Sequence, residues 1–168
     1  MSSTASSNAT LSDTAVLFSG GWDSLYCYIA ARQSGHEPDL LFFDYGQPYL
    51  QSEVTAVERM KAAGCNVQTI RFPRIANSNG IFDNRNLRFL EHAAKLGYRR
   101  IYFGSRNLLP MFDKYGDSNW WFGRQQGKRL GVEVVLPATM MPKILITTEC
   151  RRRAPSLARY VFSSEGLS

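Results

Sequence analysis

The chain has 168 residues, room for one ordinary domain and little more. Hydrophobic residues make up 44% and charged residues 20%, which excludes a disordered or low-complexity polymer, and no run nears the roughly 18 consecutive apolar residues a membrane-spanning helix needs. The formal charge of +6 is uneven: residues 1–70 carry 3 Lys/Arg against 7 Asp/Glu, and residues 71–168 carry 17 against 7. That balance suits an anionic partner such as a polyphosphate or nucleic acid, or a basic surface kept for solubility.

Residues 1–12 are rich in Ser, Thr and Ala, with no periodicity, basic start or apolar block. A disordered tail is expected there, on a cytoplasmic protein with no membrane partner. Residues 14–18 form a short apolar run that stops at Ser19-Gly20-Gly21, and helical spacing through Leu25, Tyr28 and Ile29 follows over residues 23–33. Beyond Gly35 and Pro38, Leu40 to Phe43 is apolar throughout and of strand length. It breaks at Asp44-Tyr45-Gly46, and Val54, Val57 and Met60 then mark an amphipathic helix ending at Gly64. Residues 67–72 predict a third strand, 73–83 a long loop, 86–96 a helix closed by Gly97, and 100–103 a fourth strand. Residues 108–118 are turn-rich, 120–130 predict a helix, 132–136 a fifth strand and 143–150 a last short element. Residues 151–168, opening with Arg151-Arg152-Arg153, are expected to be a basic C-terminal extension, part helix or tail. The alternation predicts an α/β fold: one domain over residues 13–150, an open parallel five-stranded sheet with helices on both faces.

Chemistry concentrates in Ser19-Gly20-Gly21-Trp22-Asp23-Ser24, between the first strand and the first helix. Paired glycines let the backbone turn tightly and bring its N–H groups against an anion, the helix start adds unpaired N–H groups and a positive dipole end, and Ser19 and Ser24 add hydroxyls. Asp23 would repel a phosphate unless a cation lay between them, which implies magnesium. The bland alternative is a glycine turn whose Ser or Asp caps the helix. The motif is neither a Walker A loop nor a Rossmann glycine fingerprint.

The run SGGWDS resembles the pyrophosphate loop of the PP-loop ATP pyrophosphatases, which adenylate an acid, carbonyl or amide oxygen for attack by nitrogen or sulfur. Phe43-Asp44-Tyr45-Gly46-Gln47 resembles the signature of one family among them, the 7-cyano-7-deazaguanine synthases, which convert 7-carboxy-7-deazaguanine to the nitrile preQ0 for queuosine biosynthesis. Weaker matches are Arg85-Asn86, Gly104, the segment from Tyr115 through Asp117 to Phe122, and Pro137 followed six residues later by Lys143. The resemblance covers about residues 14–149 and implies an adenine nucleotide alpha hydrolase-like fold with ATP and magnesium. It assigns Ser19, Gly20, Gly21, Trp22, Asp23, Ser24, Tyr45, Gly46, Gln47 and Gly104 to the nucleotide, and Arg85, Asn86, Tyr115, Asp117 and Phe122 to a deazapurine acid that reacts with ammonia. Asp23 and Lys143 would be the catalytic pair, with Asp23 also the metal ligand.

Departures from the family pattern are equally visible. Ser118 stands for a cysteine and Asn119 for an arginine, Ala138 and Pro142 replace a Leu and a Ser, and of a terminal zinc-binding cysteine cluster the chain offers Cys150 alone, so no zinc site is expected within it. Two other readings therefore stay open: a divergent enzyme adenylating another nucleobase or carboxylate, and a nucleotide- or nucleic-acid-binding subunit without catalysis. Trp120-Trp121-Phe122 would suit base stacking, core packing or a homodimer interface. The spacing of Cys27, Cys65 and Cys150 gives no disulfide or metal motif, lone His36 and His92 read as surface or capping residues, and Arg151–Arg153 read as a solvated basic turn or a contact for RNA or DNA. Glu53 and Glu58 read as exposed helix charges without a role.

Overall fold

The computed structural model of the chain describes residues 12–72, 85–105 and 119–162. Eleven elements alternate along it: β1 (Thr14–Leu17), α1 (Trp22–Gln33), β2 (Asp39–Asp44), α2 (Leu50–Ala62), β3 (Val67–Arg71), α3 (Arg85–Lys95), β4 (Arg100–Phe103), α4 (Asn119–Leu130), β5 (Glu133–Val135), α5 (Lys143–Arg153) and α6 (Pro155–Ala158). The five strands pair in parallel in the order β3-β2-β1-β4-β5. The expected sheet is therefore present.

Period-two alternation in β1 splits the core. Val16 and Phe18 face a cluster with Leu25 of α1, Val57 and Met60 of α2, and Ile146 and Cys150 of α5. Ala15 and Leu17 face the other, where Phe89, Leu90 and Ala93 of α3 close over Leu41, Phe43 and Ile101. The chain runs outward from β1 through β2 to β3 and then returns to lay β4 and β5 on the far side. Strand order thus reverses between β1 and β4, and in open parallel sheets ligands bind at the carboxyl ends beside such a reversal.

Three details differ from the sequence reading. Helix α5 runs past Cys150 to Arg153, so the three arginines, exposed as expected, form its final turn, where positive charge complements the carbonyl end of the dipole. Arg152 and Arg153 pair with Glu149, Arg153 also bonds Gln33, and the Arg151 guanidinium lies 5.2 Å from the Trp22 ring. His92 is half-buried, its ring edge-on to Phe43 and Phe72, and His36 sits beside the Arg100 guanidinium and Tyr102, so aromatic packing holds both more than capping does. After α6, the N–H of Phe162 donates to the Gly20 carbonyl at 3.0 Å and Phe162 pairs with Gly21 as an isolated parallel bridge.

Candidate active site

A cavity of about 410 Å³ opens at the carboxyl ends of β1, β2 and β4. Ser19, Asp23 and Ser24 line it from the first turn, Tyr45 and Gln47 from the segment after β2, Gly104 from the end of β4, and Arg85 and Asn86 from the start of α3. Half of the residues singled out in the sequence therefore converge on one cavity from four separate stretches of chain, whereas Gly20, Gly21, Gly46 and Lys143 do not line it.

The first turn is built to leave donors free. Gly20 has φ +81°, a left-handed conformation, and a Cβ there would lie 3.1 Å from the Ala56 Cβ and 3.3 Å from the Glu53 backbone, so only glycine fits. Gly21 is different. Its φ is −99°, and the nearest atom to an added Cβ, the Ser19 Oγ, is at 3.6 Å. Neither backbone strain nor a close contact within the protein requires glycine at that position; the Phe162 carbonyl oxygen would lie 3.8 Å from an added Cβ. No side chain caps α1; the Ser24 hydroxyl instead donates to the Gly21 carbonyl (3.0 Å) and accepts the Ser19 N–H (3.2 Å). The capping alternative thus fails: no side chain caps the N-terminus of α1, where the first-turn N–H groups have no acceptor within the helix.

Lys143, the first residue of α5, reaches back 120 residues to place its Nζ 3.2 Å from the Asp23 Oδ1. Each side chain keeps about a quarter of its surface exposed, so the pair is mostly buried but still reaches solvent. Trp22 is not brought to the cavity: its ring is buried among α1 and α5 under Arg151, so its contribution there is confined to the backbone. Behind it Cys27 and Cys150 are free and buried, and burial pushes both thiols up, Cys150 to about 12, which holds them protonated and inert.

Gly46 takes φ +79°, which turns the chain after β2 so that its N–H meets the Asp44 Oδ1. The buried Gln47 amide closes this turn, its Oε1 accepting the Tyr45 N–H at 3.0 Å and its Nε2 donating to the Phe43 carbonyl at 3.0 Å and to the Glu53 Oε2. Tyr45 in turn accepts from the Arg85 Nη1 at 2.9 Å, with the guanidinium 5.6 Å from the ring centroid, and burial raises the Tyr45 hydroxyl. Tyr115 and Asp117 lie outside the described residues. Phe122 falls in α4, and what its ring and those of Trp120 and Trp121 touch lies outside them too.

Glu58 is exposed and paired with Lys61, as expected, but Glu53 is not an exposed helix charge. It lines the cavity half-buried, and burial pushes its carboxyl up to about 7 against the opposing pull of the Gln47 hydrogen bond and Arg85, with Asp44 reinforcing the rise. Because the folded protein holds this proton more tightly than the unfolded chain, Glu53 costs nothing below about pH 4.5 and progressively more as pH rises through 7. Glu53→Gln is expected to melt with the parent near pH 4.5 and several degrees above it at pH 8, for a difference of about 1–3 kcal/mol. Thermal melts that coincide at both pH values would refute this.

The sequence pattern of the family described as Queuosine biosynthesis protein QueC matches residues 13–112, from β1 through every cavity wall described above. The chain belongs to the QueC family. Within this QueC chain, a stretch of 51 residues is 41% identical to the 7-cyano-7-deazaguanine synthase of Geotalea daltonii, covering 30% of the chain and 22% of that relative's length. By fold the QueC chain is similar to a predicted subunit of tRNA methyltransferase from Methanocaldococcus jannaschii, with a TM-score of 0.60 and 16% identity over 88% of this chain and 84% of that one. It is also similar to a tRNA thiolase from Methanococcus maripaludis solved with its 4Fe-4S cluster, with a TM-score of 0.57 and 14% identity over 90% and 58%. A 4-thiouridine synthetase solved with RNA and bound ATP gives 0.53 and 15% over 86% and 42%. At these identities the likeness is one of fold, and it bears out the α/β architecture expected of the PP-loop enzymes.

Proposed function

We propose that this QueC-family chain is an ATP-dependent ligase that forms a carbon–nitrogen bond, activating 7-carboxy-7-deazaguanine by adenylation and using ammonia to reach 7-cyano-7-deazaguanine. The observation that supports it is the Asp23–Lys143 pair, whose Asp23 lines the same cavity as Ser19 and Ser24 of the glycine turn. In this reading the substrate carboxylate attacks the α-phosphorus of ATP, pyrophosphate leaves, and ammonia displaces AMP from the acyl adenylate to give an amide. The amide oxygen attacks a second ATP in the same way, and loss of AMP leaves the nitrile.

The roles follow from position. Backbone N–H groups at Gly20 and Gly21 and the hydroxyls of Ser19 and Ser24 cradle the departing pyrophosphate, and Lys143 neutralises charge as it develops there. Gly104 lets the end of β4 approach α1 closely, and Arg85 and Asn86 hold the acceptor from the α3 side. Among the described residues no three His, Cys, Asp or Glu side chains gather into a metal cage, but magnesium is commonly held by one or two carboxylates plus phosphate oxygens, and Asp23 supplies one such carboxylate. Magnesium held there would offset charge on the nucleotide phosphates.

Incubation of the protein with ATP, ammonium and 7-carboxy-7-deazaguanine, followed by mass spectrometry, is expected to show preQ0 together with AMP and pyrophosphate. AMP without the nitrile would assign a different acceptor, in keeping with Asn119 where the family pattern has an arginine. Nucleotide binding without AMP release would overturn the enzymatic reading.

A further inference from the structure

Glu53 is a carboxylate that the fold places beside the glycine turn, in the first turn of α2, where it accepts the Gln47 amide. Its backbone presses on Gly20, since a Cβ added there would lie 3.3 Å from both the Glu53 Cα and its carbonyl oxygen. Its side chain lines the same cavity as Ser19 and Asp23. Gln47, itself locked to Phe43 and Tyr45, holds one carboxylate oxygen with a neutral amide. That arrangement fixes direction without supplying counter-charge. Arg85, whose charge bears on Glu53, is already engaged with the Tyr45 hydroxyl, and among the described residues Glu53 forms no ion pair. A half-buried carboxylate that is oriented yet not neutralised is poorly suited to stabilising a fold and well suited to exchanging a proton with a bound molecule.

We propose that Glu53 accepts the protons released by the nitrogen atom during C–N bond formation. This inference rests on the adenylation reading above. When ammonia adds to the acyl adenylate, the new C–N bond leaves a positively charged nitrogen. Its proton passes to the Glu53 carboxylate while the C–O bond to AMP breaks and AMP departs with the electron pair. In the second cycle the amide oxygen bonds to the α-phosphorus and pyrophosphate leaves; the nitrogen then gives up its two remaining protons in turn as the C–O bond breaks and the third C–N bond forms. Each proton goes to Glu53 and from there to solvent, so no further reactant is needed beyond ATP and ammonia.

The groups facing Glu53 are consistent with a base that works near neutrality. Asp44 at the end of β2 opposes its ionisation, as does burial, while Arg85 from α3 and the Gln47 amide favour it, leaving the carboxyl near 7. The Tyr45 hydroxyl, raised by its own burial, stays protonated over the same range, and among the described residues the remaining charge lining the cavity is Asp23, which pairs with Lys143. A base balanced in this way is charged often enough to accept a proton and weak enough to release it.

Two half-reactions separate this role from the reading it rests on. ATP–pyrophosphate exchange driven by 7-carboxy-7-deazaguanine reports adenylation alone; AMP release that depends on added ammonium, expressed against unprotonated ammonia, reports nitrogen transfer. Glu53→Gln is expected to reduce exchange at most several-fold while lowering nitrogen transfer about 10²-fold, and to abolish the rise in transfer rate near pH 7 that the parent shows. Glu53→Asp, which keeps a carboxylate, is expected to retain that rise at a reduced rate. A Glu53→Gln protein with the parent's transfer rate and pH profile overturns the assignment while leaving adenylation in place. A parent protein without exchange overturns adenylation itself, and the role of Glu53 with it.

Discussion

Replacing Lys143 by alanine is expected to slow ATP-dependent AMP release by about 10²–10³, the usual cost of removing one charge-stabilising donor from a site where negative charge develops. Asp23→Ala should cost a similar factor. Stability should fall by no more than about 1–2 kcal/mol, because the surviving partner of this part-buried pair still keeps about a quarter of its side chain in water. Circular dichroism of both variants should therefore overlay the parent, and thermal melts should fall by several degrees at most, while turnover collapses. The double variant should be no worse than the poorer single one if the two act as a unit on the same phosphate charge. Variants that release AMP at the parent's rate would remove both residues from the chemistry.

Gly104→Ala should damage the site from the opposite direction, through packing rather than charge. A Cβ at Gly104 would sit 3.0 Å from the carbonyl carbon and oxygen of Asp23 and 3.2 Å from its Cβ. Those are atoms of the first turn of α1, whose backbone cannot swing aside as a flexible side chain can. The end of β4 and the start of α1 must separate by a few tenths of an ångström, which moves the phosphate cradle relative to Lys143. We expect stability to fall by about 1–3 kcal/mol, as for other overpacked interiors, and ATP affinity to drop at least tenfold. Gly21→Ala is the informative comparison. It meets no close contact in the protein, so it should fold as the parent does yet bind nucleotide more weakly, as isothermal calorimetry would show. Tight ATP binding by Gly21→Ala would mean that the ligand does not approach that backbone.

The sheet could be read from the sequence because its strands are short, continuous apolar runs closed by glycine or a polar break, and burial on both faces leaves few other uses for such runs. Leu40 to Phe43 and Thr14 to Phe18 announced two of them directly. The glycine turn was legible for the same local reason. Glu53 was not: a single acidic residue in an amphipathic helix looks like any solvated charge, and what removes it from water is the approach of α2 to Gly20 and the Gln47 side chain folding back across the turn, neither of which has a local signature. The nearest available signal was its place six residues beyond Gln47, on the helix that follows the Tyr45-Gly46-Gln47 turn. His92 was misread on similar grounds, since the rings of Phe43 and Phe72 that receive it lie on other strands. Lys143 could be found only by resemblance, because the carboxylate it meets is 120 residues away.

The bond from Phe162 to Gly20 ties nearly the two extremes of the described chain together. Because Phe162 follows all five strands, the outer support of the Gly20 turn can be laid down only after the sheet itself is complete. A product truncated just before Phe162 is therefore expected to keep the sheet while leaving the Gly20 carbonyl without that bond, and a fusion joined directly behind α6 would burden the brace more than one joined ahead of β1.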